Sequence, residues 1–286
     1  MKVVTFKYDN LIQVGIISED GQHVIPANQY DNMEALVAKS TYEELLNIGR
    51  LEQAGIALAD VELLAPIPEP SHDIICLGLN YKSHDREVPE AFAKEKLQER
   101  TVPVYFSKRV NKAVAPDGFI DGHFNIVDSL DYECELAVII GKDTKDVEEK
   151  DAADYIFGYT IINDVSARNV QTTHKQWYFG KSLDDFAPMG PCIVTAEDFD
   201  FPPALDIRCR VNGELRQNSN TKHLVHSIAF IISELSKGMT LKAGTIIATG
   251  TPGGVGIGMN PPKFLKSGDV IECEIEGIGT LTNTVK

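Results

Sequence analysis

The chain has 286 residues, of which 43% are hydrophobic and 24% charged, and a formal net charge of −15. The length suits one large domain plus a small one, and the composition is ordinary for a globular protein. The acidic balance argues against a nucleic-acid partner, which would need clustered Lys and Arg, and no apolar run reaches the length of a membrane span.

The first residues, Met1 to Lys7, have no extended apolar core and no cleavage signature. The five cysteines (Cys76, Cys134, Cys192, Cys209 and Cys273) are scattered, with no Cys-x-x-Cys pair. A reduced, cytoplasmic setting is expected. Residues 1–65 read as a small α+β domain, with strands over Val3–Tyr8, Val14–Ile17 and His23–Ile25 and helices around 32–39 and 41–49. The segment Leu64 to Pro70 contains three prolines, which break regular structure and mark a domain boundary.

A second domain, 70–286, opens with a buried strand over Ile74–Leu79. Residues 84–100 are highly charged and helix-prone, and read as an exposed, mobile segment. Strands follow over Tyr132–Ile140, Tyr159–Asn163, Pro191–Thr195, Asp206–Val211, Thr245–Thr249 and Val270–Ile275. Asn212-Gly213 signals a hairpin turn. Thr221 is expected to cap a helix carrying Leu224, Val225, Ile228, Ile231, Ile232 and Leu235, and Gly238 to end it. Strand and helix do not alternate regularly, so a doubly wound sheet is excluded. The fold class is α+β, mainly β: a mixed β-roll or barrel with peripheral helices.

Within the strand 132–140, Glu133 and Glu135 are two residues apart and face one side. Asp164 closes the next strand, where a loop begins. Three carboxylates with no nearby ligand histidine suit a hard divalent cation. Glu-x-Glu alone is weak: Glu272-Cys273-Glu274 has the same spacing and reads as a solvated strand face. Cys209 and Cys273 share the apolar phase of their strands and read as core residues.

His84 and Glu87 stand three apart and can hydrogen-bond on one helical turn, which would fix the imidazole tautomer and free its other nitrogen as a base. Taken alone, this pair reads as a surface ion pair in a charged helix. Lys181 could supply a fixed positive charge to an anionic substrate or a developing enolate. The loop Thr249 to Gly258 lacks the Gly-Lys-Ser/Thr ending of a phosphate loop, which excludes nucleotide binding. It can still offer backbone N–H groups to a carboxylate.

Five segments together resemble the fumarylacetoacetate hydrolase family, in particular its bacterial acylpyruvase-like and hydroxyheptadienedioate isomerase-like members. They are Leu79-Asn80-Tyr81 with His84 and Glu87, Asp131 to Leu136, Gly158-Tyr159 through Asn163 to Arg168, Gly180-Lys181-Ser182 with Asp184, and Thr249 to Gly256. The match covers about residues 70–286 in the family's order. The resemblance implies a β-roll catalytic domain in a homodimer. It implies Mg²⁺ or Mn²⁺ (Ca²⁺ in crystals) held by Glu133, Glu135 and Asp164. It further implies water activation by His84 with Glu87, a catalytic Lys181, and substrate contacts from Thr251, Gly250 and Arg168. Asn169 departs from the Asp that many relatives carry, which bears on how Arg168 is anchored.

The expected reaction is hydrolytic C–C cleavage of an acylpyruvate-type 1,3-diketo acid through a metal-stabilised enolate. Two alternatives use the same chemistry: decarboxylation of oxaloacetate, and isomerisation of a 2-hydroxyhepta-2,4-diene-1,7-dioate type diacid. A non-enzyme alternative is a catalytically silent metal-binding scaffold. The expected partner is a small anionic keto acid.

Overall fold

The computed structural model describes residues 1–51, 55–87 and 102–286. Among these, the strands form an open, mixed β-roll built on two larger sheets. The first is 11-stranded. At its centre the strands Met189–Thr195, Ile156–Asn163, Cys134–Ile140, Ile246–Ala248 and Ile74–Gly78 lie side by side. Val104–Lys108 forms one edge, and the N-terminal strands extend the other, with Lys2–Tyr8 paired to Met189–Thr195. The second sheet has five strands, among them Asp206–Val211, Val270–Ile275 and Gly279–Val285. Pairing is antiparallel except where Ile246–Ala248 meets Ile74–Gly78 and where Gly279–Val285 meets Phe119–Ile120.

The central strand Cys134–Ile140 is buried at every residue, and its alternation divides two cores. Cys134, Leu136, Val138 and Ile140 pack with Ile207, Cys209, Ile271 and Cys273 of the second sheet. Ala137 and Ile139 pack with Met33, Leu36 and Val37 of the N-terminal helix Met33–Lys39. Side chains two apart on a strand share a face, so Glu135 continues the face of Ala137 and Ile139 beyond the apolar core. The second sheet alternates as a half-solvated sheet should. Val270–Ile275 buries every second residue, and Glu274 on its outer face pairs with Arg208 and Arg210. The second Glu-x-Glu is thus a solvated face.

Local chemistry sets the ends of these elements. Asn32 and Thr41 cap helices Met33–Lys39 and Tyr42–Gly49 by accepting the N–H groups of Ala35 and Glu44. Asn212-Gly213 joins Asp206–Val211 to Glu214–Asn220, both residues at positive φ as a two-residue hairpin requires.

The helix expected to start at Thr221 instead starts at Ile228, capped by Ser227 through the N–H of Phe230, and ends at Gly238. The preceding chain is held in other contacts. The Thr221 hydroxyl donates to Pro203 O and accepts from Leu205 N. Leu224 bridges to Tyr81, and the N–H groups of Val225 and His226 donate to Asn80. Periodicity ran past the true cap because these apolar residues are bound to another segment.

The strand expected from Tyr132 begins at Cys134. The Glu133 N–H donates to the Asn163 side chain and its carbonyl accepts the Asp164 N–H, so the ladder gives way to a local knot of hydrogen bonds. Of the charged segment 84–100, helix Lys82–Glu87 contains the first part and residues 88–100 lie outside the described residues. No helix among the described residues is long and apolar enough to cross a membrane.

Candidate metal centre and active site

Glu133, Glu135 and Asp164 converge where the two central strands end. Each offers a carboxylate oxygen within 4.8 Å of the others, and all three are buried. Opposite ligands around a cation of the Mg²⁺ or Mn²⁺ kind at about 2.1 Å stand about 4.2 Å apart, so oxygens within 4.8 Å of one another need draw in only slightly to share one ion. The Asp164 Oδ1 atom is buried and accepts no hydrogen bond among the described residues, with Lys108 Nζ 2.9 Å away as an ion pair. The three clustered residues all offer oxygen donors, which suits a hard divalent cation.

The electrostatics show why a cation belongs there. Four buried carboxylates, Asp131, Glu133, Glu135 and Asp164, meet three buried cations, Lys108, Arg168 and Lys181. Lys181 Nζ donates to Glu133 Oε2 and Asp164 Oδ2, each at 2.7 Å. Arg168 Nη2 lies 2.7 Å from Glu133 Oε1 as an ion contact. Burial alone pushes the Glu133 carboxyl up, but Lys181 and Arg168 outweigh it and hold the group at about 2. Burial also pulls Lys181 down, and Asp164 and Glu133 more than restore it, so it stays an ammonium.

Among the described residues Glu135 has no such ion-pair partner. Its Oε2 accepts the Gly250 N–H at 2.7 Å. Burial first, then the charges of Asp164 and Glu133, push its pKa well above the ordinary carboxylate value. A buried carboxylate beside two others needs either a proton or a cation, so the donor set fits a divalent ion.

Beside this cluster, His84 is buried and lines the same cleft as Glu133, Glu135 and Lys181. The surface ion pair expected from the spacing alone is therefore incorrect: the turn Lys82–Glu87 packs inward. His84 Nδ1 lies 3.0 Å from Glu87 Oε1. Glu87 also accepts the N–H groups of Gly254 at 2.7 Å and Val255 at 3.3 Å. An acceptor this heavily used makes Nδ1 the donor, leaving Nε2 as the free base nitrogen. Gly258 leaves room for this carboxylate, since a Cβ there would come within 2.5 Å of Glu87 Cδ. The glycine loop thus serves to seat the dyad.

The other anticipated residues fall around this centre. Thr251 lines the cleft, and its hydroxyl donates to Cys134 O and accepts from Gln217. The Gly250 N–H is directed at Glu135, as described above. Arg168 also lines the cleft, with Nε on Asp131 at 2.9 Å and Nη1 on Gln171 at 3.1 Å. Asn169 does not anchor Arg168. It bonds to Ile126 O and receives the Ser129 hydroxyl, while Asp131 does the anchoring.

Three site residues escaped the sequence reading. Asp131 accepts Arg168 Nε and the N–H groups of Tyr132, Gly256 and Ile257, so it ties the arginine to the glycine loop. Gln171 lines the cleft one helical turn after Arg168. Lys108 is fully buried, with Nζ 2.9 Å from Asp164 Oδ1 and 3.1 Å from Val165 O, and it also donates to Lys181 O. Burial pushes the Lys108 pKa down, and Asp164 offsets part of that. Asp131 lay within a quoted motif and could have been singled out. Lys108 ends the hydrophobic run Val104-Tyr105-Phe106, a strand signal that was available and not used.

A cleft that carries buried carboxylates, the Lys181 ammonium and the Arg168 guanidinium, with the His84–Glu87 pair beside them, has the groups that metal-assisted acid–base chemistry needs. The profile of the fumarylacetoacetate (FAA) hydrolase C-terminal family matches residues 73–286. Oxaloacetate tautomerase YisK of Bacillus subtilis is 47% identical over 230 residues, covering 80% of this chain and 74% of that protein. A fumarylacetoacetate hydrolase from Exiguobacterium antarcticum superposes with a TM-score of 0.86 at 41% identity, covering 100% of this chain and 99% of that one. A maleylpyruvate hydrolase from Sphingobium sp. SYK-6, solved with manganese(II) and pyruvate, gives a TM-score of 0.78 at 29% identity, with 100% and 98% covered. The chain belongs to the fumarylacetoacetate hydrolase family, whose named members include tautomerases, isomerases and hydrolases.

Proposed function

We propose that this protein is a divalent-metal-dependent enzyme that moves a proton between the keto and enol forms of a short 2-keto diacid of the oxaloacetate kind. The observation that carries the reading is the buried His84–Glu87 dyad set beside an under-neutralised carboxylate trio. Glu133, Glu135 and Asp164 would hold Mg²⁺ or Mn²⁺, which supplies Lewis-acid charge to the keto-acid oxygens. His84 Nε2 takes the proton from carbon 3 and passes it to the oxygen on carbon 2 to give the enol, the reverse transfer restoring the keto form, while Glu87 holds the tautomer that allows this. Lys181, kept cationic by its carboxylates, balances negative charge on the enol oxygen. Arg168, Gln171 and Thr251 are the groups on the cleft wall available to orient the acid end. The 47% identity to a protein named as an oxaloacetate tautomerase supports this choice of reaction.

C–C hydrolysis of an acylpyruvate, the reaction first expected from the sequence, is the second reading. It is favoured by the dyad, which could equally deprotonate water, and by the likeness to the maleylpyruvate hydrolase. The test follows enol-oxaloacetate by its ultraviolet absorbance, and pyruvate, carbon dioxide and acid release from oxaloacetate and acylpyruvates, with Mn²⁺ or with EDTA. Metal-dependent loss of the enol signal without product release supports the first reading. Pyruvate with an equivalent of carboxylic acid supports the second. No turnover of any of these substrates overturns both.

A further inference from the structure

Trp177 is the only tryptophan in the chain, and it lines the same cleft as Glu133 and Glu135. It directly precedes the short helix Tyr178–Lys181, and its carbonyl accepts the Lys181 N–H at 3.1 Å. One turn therefore fixes the indole relative to the site ammonium. The indole is half-buried and meets Phe106 edge to face, with centroids 5.4 Å apart and planes at 72°. Its six-membered ring lies directly on Gly78, where a Cβ would fall 2.3 Å from Cζ3. No residue with a side chain could stand at 78 while the indole lies there. Phe106 in turn lies under Lys181, whose Nζ is 5.2 Å from the ring centroid.

The cleft lining is of two unlike kinds. One is ionic, carrying Glu133, Glu135, Arg168 and Lys181; the other is apolar and aromatic, carrying Leu77, Phe106 and Trp177. The free space between them is about 20 Å³, roughly room for one water. With so little free space, a keto acid held by its acid end at the ionic groups would place its remaining atoms against the apolar lining, which includes the indole. Glu133 is held by ion pairs with Lys181 and Arg168, whereas Trp177 stands on a single exposed turn whose next residues, Tyr178 and Phe179, face solvent at 41% and 48% exposure. The indole is the part of the wall that decides how long an arm fits.

We propose that Trp177, seated on Gly78 and Phe106, is a specificity-determining residue that limits the length of the substrate arm beyond the keto acid. The cleft then takes short 2-keto acids and rejects long-chain ones. This rests on the reading that the acid end binds at the carboxylate trio. Discrimination per added methylene in such a pocket is roughly 10-fold or more.

The test uses the full chain loaded with Mn²⁺ and a series of linear 2-keto acids from pyruvate to 2-oxooctanoate. Dissociation constants are measured by calorimetry for the wild type, Trp177→Phe and Trp177→Ala. Affinity in the wild type is expected to fall at least about 10-fold with each added methylene that meets the indole. Trp177→Ala is expected to lose that fall and bind the eight-carbon acid at least as well as pyruvate, and Trp177→Phe to lie between. The fluorescence of the sole tryptophan should change when pyruvate binds the wild type. Mn²⁺ affinity should stay the same in all three proteins, which checks that the variants fold. An unchanged length profile in Trp177→Ala overturns the assignment of Trp177 while leaving the site reading intact. Absence of binding by every keto acid to Mn²⁺-loaded wild type overturns the site reading and the assignment with it.

Discussion

Replacing Lys108 by methionine should cost this fold more than any exposed lysine substitution. Lys108 Nζ is fully buried, 2.9 Å from Asp164 Oδ1, and it satisfies the carbonyls of Val165 and Lys181. Removing one partner of a buried ion pair typically costs about 3–5 kcal/mol, because the other charge stays buried. Here Lys181 still contacts Asp164, which pulls the cost toward about 3 kcal/mol. The two orphaned carbonyls add about 1–3 kcal/mol each if nothing replaces the donor, which pushes it back up. For a chain of this size about 1 kcal/mol moves Tm by roughly 2–3 °C, so Lys108→Met should lower Tm by roughly 6–15 °C. The assay is thermal unfolding by circular dichroism in EDTA, with Lys108→Arg as the charge-preserving control, expected to recover part of the loss. A Lys108→Met protein within about 2 °C of wild type would refute the claim that this ammonium supports the site.

Three further outcomes follow from the same geometry. Glu87→Gln should cut kcat by roughly 10²-fold or more, because Glu87 fixes the His84 tautomer, while Mn²⁺ affinity measured by calorimetry stays unchanged. Gly258→Ala places a Cβ 2.5 Å from Glu87 Cδ, so it should lower kcat at least about 10-fold and also leave Mn²⁺ affinity intact. A pH effect follows from Glu135, whose pKa burial and then Asp164 and Glu133 raise well above 4.5. A group raised on folding stabilises the fold below its unfolded value and loses that contribution as pH rises through its folded value. The EDTA-treated protein should therefore lose Tm as pH rises above the ordinary carboxylate range, and added Mn²⁺ should restore more at the higher pH. At 100 times its dissociation constant the ion should contribute about 2.7 kcal/mol, or roughly 5–8 °C. A flat Tm with pH in EDTA would remove the electrostatic argument for Glu135.

The carboxylate trio was legible in the sequence because strand alternation puts Glu133 and Glu135 on one face and Asp164 stands at the end of the paired strand. Most strands were legible for the same reason: burial with a period of two leaves its mark on Asp206–Val211 and Val270–Ile275. What the sequence hid were side chains whose role depends on tertiary partners. Lys108 looks like any strand-end lysine until the fold brings Asp164 and Lys181 to it. His84 carries the spacing of a surface pair, and only the glycine loop, arriving from 170 residues later through Gly253 N–H on Ser83 Oγ, turns that helix inward. The start of helix Ile228–Gly238 was misplaced for a related reason, because Leu224 and Val225 keep the apolar pattern while bonding to Tyr81 and Asn80. Periodicity records which faces are buried, but it cannot say which distant segment buries them.

The central claim is that Glu133, Glu135 and Asp164 together hold one divalent cation. Titration of the metal-stripped protein with Mn²⁺, followed by the electron paramagnetic resonance signal of the free ion, tests it directly. The account predicts a single saturable site per chain in the wild type, and a loss of affinity on the order of 100-fold in Glu135→Gln, where a carboxylate ligand becomes a neutral amide. Equal Mn²⁺ binding by wild type and Glu135→Gln, or no saturable binding by the wild type, would contradict it.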